Sequence, residues 1–198
     1  GSRFSNVGYA TPKPLIKVDG KPMLYHAFQS VKDLPYEKVI FIALKEHEQT
    51  FGISKIIKEQ IIADFELILL KDVTEGQLCT VLAASDFFSL NKPILIAASD
   101  SYIESSIADE VKNTQADGII SVINLPGEQW SFAKTDEAGH VIKVAEKSRI
   151  SNHASTGIYY FKDAKQFEQH AHKLINQKET TKGEYYIMPL YNKIIAEG

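Results

Sequence analysis

Residues 93–102 read Pro-Ile-Leu-Ile-Ala-Ala-Ser-Asp-Ser-Tyr, an apolar run that stops abruptly on a carboxylate. A short continuous aliphatic run bounded by polar residues is the pattern of a strand buried on both faces, as in a parallel sheet. In open α/β sheets ligands gather beyond the carboxyl ends of the strands, so this reading delivers Asp100 to a crevice.

Working outward from that strand, helical and strand patterns alternate. Upstream lie a helix over Gln77–Phe88, a strand over Phe65–Leu70, a helical stretch over Glu46–Ala63 and a second β-branched run, KVIFIAL, at 38–44. Before these, Met23, Ala27, Phe28 and Val31 recur at helical spacing from Pro22 to Leu34, with Pro22 suited to a first turn because its missing N–H is not needed there. Such alternation implies βαβ crossovers and parallel pairing. After Ile119 short strand patterns follow one another, and Asp136-Glu137-Ala138-Gly139 marks an antiparallel hairpin. Two helical patterns, Ala164–Ile175 and Tyr185–Ala196, close the chain around a polar linker over 176–183. The expected fold is α/β, a Rossmann-like, mostly parallel mixed sheet flanked by helices.

The chain has 198 residues, 44% hydrophobic and 24% charged, values that fit one compact domain with a sizeable core. We expect a single catalytic domain over residues 1–198, trimmed at both ends, since it opens on Gly1-Ser2-Arg3 and closes at the end of a helical pattern. With 22 Lys+Arg against 25 Asp+Glu, a net charge of −3 supplies no field for nucleic acid or an anionic membrane. Any anion site is therefore local. Cys79 excludes a disulfide framework and suits a reducing compartment, so a cytoplasmic protein is expected. No apolar stretch approaches the roughly 20 residues of a membrane span. The six histidines show no metal-ligand spacing and are assigned to the surface or to helix faces.

The chemistry concentrates first at the N-terminus. Gly1-Ser2-Arg3-Phe4, Thr11-Pro12-Lys13-Pro14-Leu15 and Val18-Asp19-Gly20-Lys21-Pro22 place Arg3 and Lys13 around one Gly/Pro-rich loop. A triphosphate needs close backbone N–H groups, which glycine permits, and cations that offset charge as the α-phosphorus is attacked. Taken alone, the loop reads equally as a surface segment with solvated cations.

The order GSRF, PKPL, GKPM resembles the sugar-phosphate nucleotidyltransferases, also called sugar-nucleotide pyrophosphorylases. Further pieces of that signature extend along nearly the whole chain. The resemblance implies the nucleotide-diphospho-sugar transferase-like fold, with the first strand and half the glycine-rich loop absent here. It implies catalytic roles for Arg3 and Lys13 and nucleotide contacts from Gly1, Ser2, Gly76 and Gln77, the last two within Thr74-Glu75-Gly76-Gln77. That segment reads equally as a helix start, with Thr74 capping and Gln77 completing a capping box. The resemblance makes Asp100 a ligand for Mg²⁺, a hard cation that prefers oxygen; the alternative is a carboxylate capping a turn. The family's second metal carboxylate would lie beyond Gly198. Glu146-Lys147, followed by Ser155-Thr156-Gly157-Ile158-Tyr159, resembles the family's EK pair and TGIY strand. It implies an acceptor subsite in which Glu146 holds hydroxyls and Lys147 the phosphate, with Thr156 and Gly157 nearby and Trp130 behind the sugar. Without that context, Glu-Lys is a solvated pair and Trp130 ordinary packing.

The implied activity is transfer of a nucleoside monophosphate from a nucleoside triphosphate to a sugar 1-phosphate, giving a nucleotide sugar for polysaccharide biosynthesis, and pyrophosphate. The implied partners are those two substrates, without nucleic acid or membrane; homo-oligomerisation stays open. Two other readings stand beside it: a cytidylyltransferase acting on phosphocholine or another small non-sugar phosphate, and a non-catalytic nucleotide-binding homologue. A glycosyltransferase is disfavoured because Asp100-Ser101-Tyr102 lacks paired carboxylates.

Overall fold

The structure, a computed structural model, describes residues 11–197. Its contacts divide into two compact units, one drawn from the chain up to Val73 with Ala97–Asn113, the other from Thr74–Ile96 with the chain from Thr114 onward.

In the first unit a short antiparallel pair, β1 (Lys17–Val18) and β2 (Lys21–Pro22), leads into α1 (Met23–Gln29). The KVIFIAL run forms β3 (Ile40–Leu44), which pairs in parallel with β4 (Glu66–Leu70), from Ile40 opposite Glu66 to Leu44 opposite Leu70. The crossover holds two helices instead of one, α2 (Lys45–Phe51) and α3 (Ile53–Gln60). Gly52 divides them by adopting φ 61°, ψ 51°, a left-handed conformation cheap for glycine alone. The Glu48 carboxylate then accepts hydrogen bonds from the backbone N–H (2.8 Å) and hydroxyl (2.7 Å) of Ser54, fixing the corner. Ile57, fully buried, packs with Leu15, Leu24, Ala43 and Ile53 to form this unit's core. Most of β3 is only half-buried, because β3 and β4 pair with no other strand among those described.

The second unit holds α4 (Gln77–Leu82), β5 (Ile94–Ala97) up to Ile96, β6 (Gly118–Ile123), β7 (Ser131–Thr135), β8 (Val141–Glu146), β9 (His153–Phe161), α6 (Ala164–Asn176) and α7 (Leu190–Glu197); α5 (Ile107–Asn113) belongs to the first. Its five-stranded sheet runs β5-β9-β7-β8, with β6 also pairing β9. The hairpin read at 136–139 joins β7 to β8: the Asp136 carboxylate accepts from the N–H groups of Ala138 (3.0 Å) and His140 (2.8 Å), an Asx turn that sets the register. The mixed α/β class therefore stands, with β3–β4 parallel and β6–β9, β7–β8 and β7–β9 antiparallel.

Further details refine the sequence reading. The first helix, read from Pro22 to Leu34, spans Met23–Gln29, with Pro22 closing β2 as its N-cap. The helix over Gln77–Phe88 ends at Leu82, and Ser85–Phe87 forms a separate 3₁₀ turn. The last helix begins at Leu190, not Tyr185, because Tyr185 bonds elsewhere: its N–H donates to the Glu75 carbonyl (2.9 Å) and its carbonyl accepts from the Leu78 N–H (3.1 Å). His170 lies on the buried face of α6, 5% exposed, where burial depresses its pKa. The core around it includes Phe161, which packs on both Phe167 and Tyr191, with ring centroids 4.9 and 4.5 Å away. The edge of β8 is closed by a side chain: the Asn192 amide accepts from the Val144 N–H (2.9 Å) and donates to the Val144 carbonyl (3.0 Å), satisfying both backbone groups.

Candidate active site

In the first unit, Lys13 opens a 3₁₀ turn (Lys13–Leu15) between Pro12 and Pro14, residues whose fixed φ favours such a turn. The Leu15 N–H donates to the Pro12 carbonyl (2.8 Å), and the buried Leu15 side chain pins the turn to the core. This aims the Lys13 ammonium at Asp100, 2.7 Å from Oδ2. The two side chains are 31% and 34% exposed, so the pair is partly solvated and its net contribution to stability is small. Two groups read independently from segments 87 residues apart thus meet. Among the described residues no three His, Cys, Asp or Glu side chains are grouped to hold a metal ion. One carboxylate still fits Mg²⁺ as phosphate sites use it, with water and substrate oxygens completing the shell. Gly1, Ser2 and Arg3 lie outside the described residues.

In the second unit, Glu146 ends β8 directly opposite Ser131, and the Ser131 hydroxyl donates to its carboxylate. Burial pushes the Glu146 carboxyl up, against the opposing pull of the Ser131 hydrogen bond and the Lys147 charge. Burial likewise raises the Tyr159 phenol, which bonds Ser155 and Ser131, so Glu146 rests on a buried polar network. Lys147 adopts φ 52°, a left-handed backbone that costs a non-glycine residue on the order of 1 kcal/mol. Its N–H donates to the Trp130 carbonyl (2.9 Å), which holds it there. The Lys147 ammonium lies 4.2 Å from the centroid of the Tyr186 ring and donates to the Tyr186 hydroxyl, which in turn donates to Glu184.

The TGIY segment is a bulge. Between Ile120 and Val122 of β6 the register slips, so that Thr156, Gly157 and Ile158 of β9 face Ser121. Gly157 takes φ 87° there, and the Thr156 hydroxyl donates to the Ser121 carbonyl (3.3 Å). Bulges of this kind re-aim side chains beside functional sites. Trp130, 36% exposed, donates its indole N–H to the Pro126 carbonyl (3.0 Å). Arg149 donates to the carbonyls of Leu125 (2.9 Å) and Gly127 (3.0 Å), so the loop before Trp130 is held from both sides. The contacts of Tyr186, Glu184 and Arg149 were not legible in the sequence: Tyr186 fell inside the helical pattern at 185–196, and Glu184 and Arg149 are single polar side chains with no spacing signal.

Gly76, also in this unit, sits at the N-cap of α4 with φ 141°. The capping box does not form: the Thr74 hydroxyl donates to the Gly76 carbonyl (2.9 Å) and makes no cap bond, because the helix starts two residues later than a Thr74 cap requires. A Cβ at Gly76 would come 2.6 Å from the Tyr185 backbone nitrogen, so glycine is needed for packing. Gln77 opens α4 beside it, half-buried.

If Glu146 accepts acceptor hydroxyls, it does so more strongly when ionised, because the carboxylate offers both oxygens as charged acceptors. Its folded pKa is raised, so the acid limb of kcat/KM for the acceptor is expected at higher pH than an ordinary glutamate, about 4.3, would give. The native state also binds this proton more tightly than the unfolded chain, so the group's contribution to stability declines as pH rises from the ordinary value through the raised one. Glu146→Gln is therefore expected to lower acceptor kcat/KM at least ~10-fold, abolish that limb and raise thermal stability at neutral pH. Rate–pH profiles and calorimetry check all three.

Comparison with known proteins gives the same outline along the whole chain. The sequence is 24% identical over 210 residues to the UTP–glucose-1-phosphate uridylyltransferase AglF of Haloferax volcanii, covering 100% of this chain and 81% of that protein. It is 27% identical over 175 residues to the bifunctional protein GlmU of Methanocaldococcus jannaschii, covering 85% of this chain but 39% of the longer relative. The crystal structure of a nucleoside-diphosphate-sugar pyrophosphorylase from Vibrio cholerae superposes with a TM-score of 0.83 at 27% identity, covering 100% of this chain and 84% of that one. No helix among the described residues is long and apolar enough to cross a membrane. The family profile described as nucleotidyl transferase matches residues 1–197, from the glycine-containing N-terminus through Lys13, Asp100 and the Glu146-Lys147 pair, and the chain accordingly belongs to the nucleotidyl transferase family.

Proposed function

We propose that the protein transfers a nucleoside monophosphate from a nucleoside triphosphate to a sugar 1-phosphate. The observation that carries this reading is the family match over residues 1–197. A uridylyltransferase acting on glucose 1-phosphate among the relatives supports the substrate class. The acceptor's phosphate oxygen attacks the α-phosphorus; that O–P bond forms, the bond from the α-phosphorus to the oxygen bridging to the β-phosphorus breaks, and pyrophosphate leaves with the electron pair. No protein nucleophile takes part, so the residues act by position and charge.

Lys13 offsets negative charge at the triphosphate, as the family resemblance assigns also to Arg3. Gly1, Ser2, Gly76 and Gln77 contact the nucleotide. Asp100, which pairs with Lys13, would hold Mg²⁺, which when bound offsets phosphate charge. Glu146 orients sugar hydroxyls and Lys147 binds the acceptor phosphate, with Thr156, Gly157 and Trp130 shaping that side. The single free Cys79 is compatible with action in the cytoplasm, supplying nucleotide sugar for polysaccharide synthesis.

Pyrophosphate release is the test. It is expected only with a divalent metal, a nucleoside triphosphate and a sugar 1-phosphate together, measured with a panel of triphosphates and acceptors. Turnover without metal, or with phosphocholine in place of every sugar phosphate, would overturn the reading.

A further inference from the structure

The proposed nucleotide segment at 75–78 and the proposed acceptor cation Lys147 are joined by two consecutive residues. Tyr185 is clasped by the first: its N–H donates to Glu75 (2.9 Å), its carbonyl accepts from Leu78 (3.1 Å), and only the missing Cβ of Gly76 lets its backbone approach so closely. Tyr186 then meets the second, its ring beneath the Lys147 ammonium and its hydroxyl between that ammonium and Glu184.

Both flanks of this dipeptide are fixed. On one side Thr181 and Glu184 exchange backbone hydrogen bonds (3.0 and 3.1 Å) around Lys182 and Gly183, both at positive φ, a tight turn that sets the start of the segment. On the other, Ile187 and Met188 are fully buried. A lysine side chain has four rotatable bonds and holds a defined position only where something confines it. Here a ring face and a hydroxyl do so, and the carboxylate of Glu184 orients that hydroxyl.

We propose that Tyr186 is the positioning residue for Lys147, and that Gly76 sets Tyr186 in place through Tyr185. A substitution at the nucleotide segment is therefore felt at the acceptor. The inference rests on the reading of Lys147 as the acceptor-phosphate cation.

The test is steady-state kinetics with glucose 1-phosphate and a nucleoside triphosphate on Lys147→Ala, Tyr186→Phe, Gly76→Ala and the pairwise combinations. Tyr186→Phe keeps the ring and removes the hydroxyl. It is expected to raise acceptor KM about 10-fold, the scale of one hydrogen bond to a charged group, and to leave triphosphate KM unchanged. In the Lys147→Ala background it should add nothing, a non-additivity that a purely structural role would not produce. Gly76→Ala should also raise acceptor KM, with no further rise on adding Tyr186→Phe. Unchanged acceptor KM in Tyr186→Phe, or additivity with Lys147→Ala, overturns the positioning role while the acceptor reading survives. Additivity of Gly76→Ala with Tyr186→Phe overturns the link through Tyr185. An unchanged acceptor KM in Lys147→Ala overturns the acceptor reading, and this inference with it.

Discussion

Replacing Lys13 with alanine is expected to lower the rate of pyrophosphate release by at least ~100-fold, the scale for removing one preorganised charge-stabilising group, with the fold retained. The fold should survive because the Lys13–Asp100 pair is about one-third exposed and contributes little to stability, while Leu15 continues to anchor the turn. A second consequence follows from the pairing. Alanine frees the Asp100 carboxylate from its ammonium, so metal affinity should rise or hold steady even as turnover collapses. Single-turnover rates and metal titration on the same variant check both halves. A near-normal rate would reduce Lys13 to the counter-charge of Asp100.

The second large effect is expected at Lys147. Lys147→Ala should weaken acceptor binding by roughly 1.5–3 kcal/mol, the range for a charge-assisted hydrogen bond, or about 10- to 150-fold in affinity. Triphosphate affinity should barely move. Alanine keeps the backbone bond to Trp130 but still leaves a non-glycine residue at φ 52°, now without its side-chain contacts to Tyr186, so Lys147→Gly is the informative partner. Glycine relieves the backbone cost and should lose the same acceptor affinity while stability improves. Titration with each substrate in turn decides the matter. Loss of triphosphate binding with acceptor binding intact would contradict the roles assigned here.

How much of this was legible in the sequence depended on whether the signal was periodic or singular. KVIFIAL and PILIAA gave strands at 40–44 and 94–97 because aliphatic runs of that length bury themselves in little else. The hairpin at 136–139 was legible because an Asp and a Gly each do something specific in a turn. The break at Gly52 was not, since helical periodicity continues across it and only the backbone angle reveals the corner. The start of α7 was misplaced for a different reason: nothing in Tyr185 announces that its N–H and carbonyl are taken by Glu75 and Leu78, a pairing 110 and 107 positions away along the chain. The contact of Lys13 with Asp100 was not read from the sequence, where the two were assigned separately, one as a cation at the triphosphate and the other as a metal ligand. The Tyr186 ring under Lys147 could not be inferred at all, since an aromatic residue is more often packing than partner.

Asn192 closing the edge of β8 carries a consequence for how the chain is made. Val144 and Asn192 are 48 positions apart, and synthesis proceeds at about 5–20 residues per second, so this strand leaves the ribosome roughly 2–10 s before the amide that covers it. During that interval the Val144 N–H and carbonyl at the strand's edge are open to any other strand, including one from a neighbouring nascent copy. Yield of soluble protein in a cell should therefore track translation speed between codons 144 and 192, a dependence that no measurement on the finished fold would disclose.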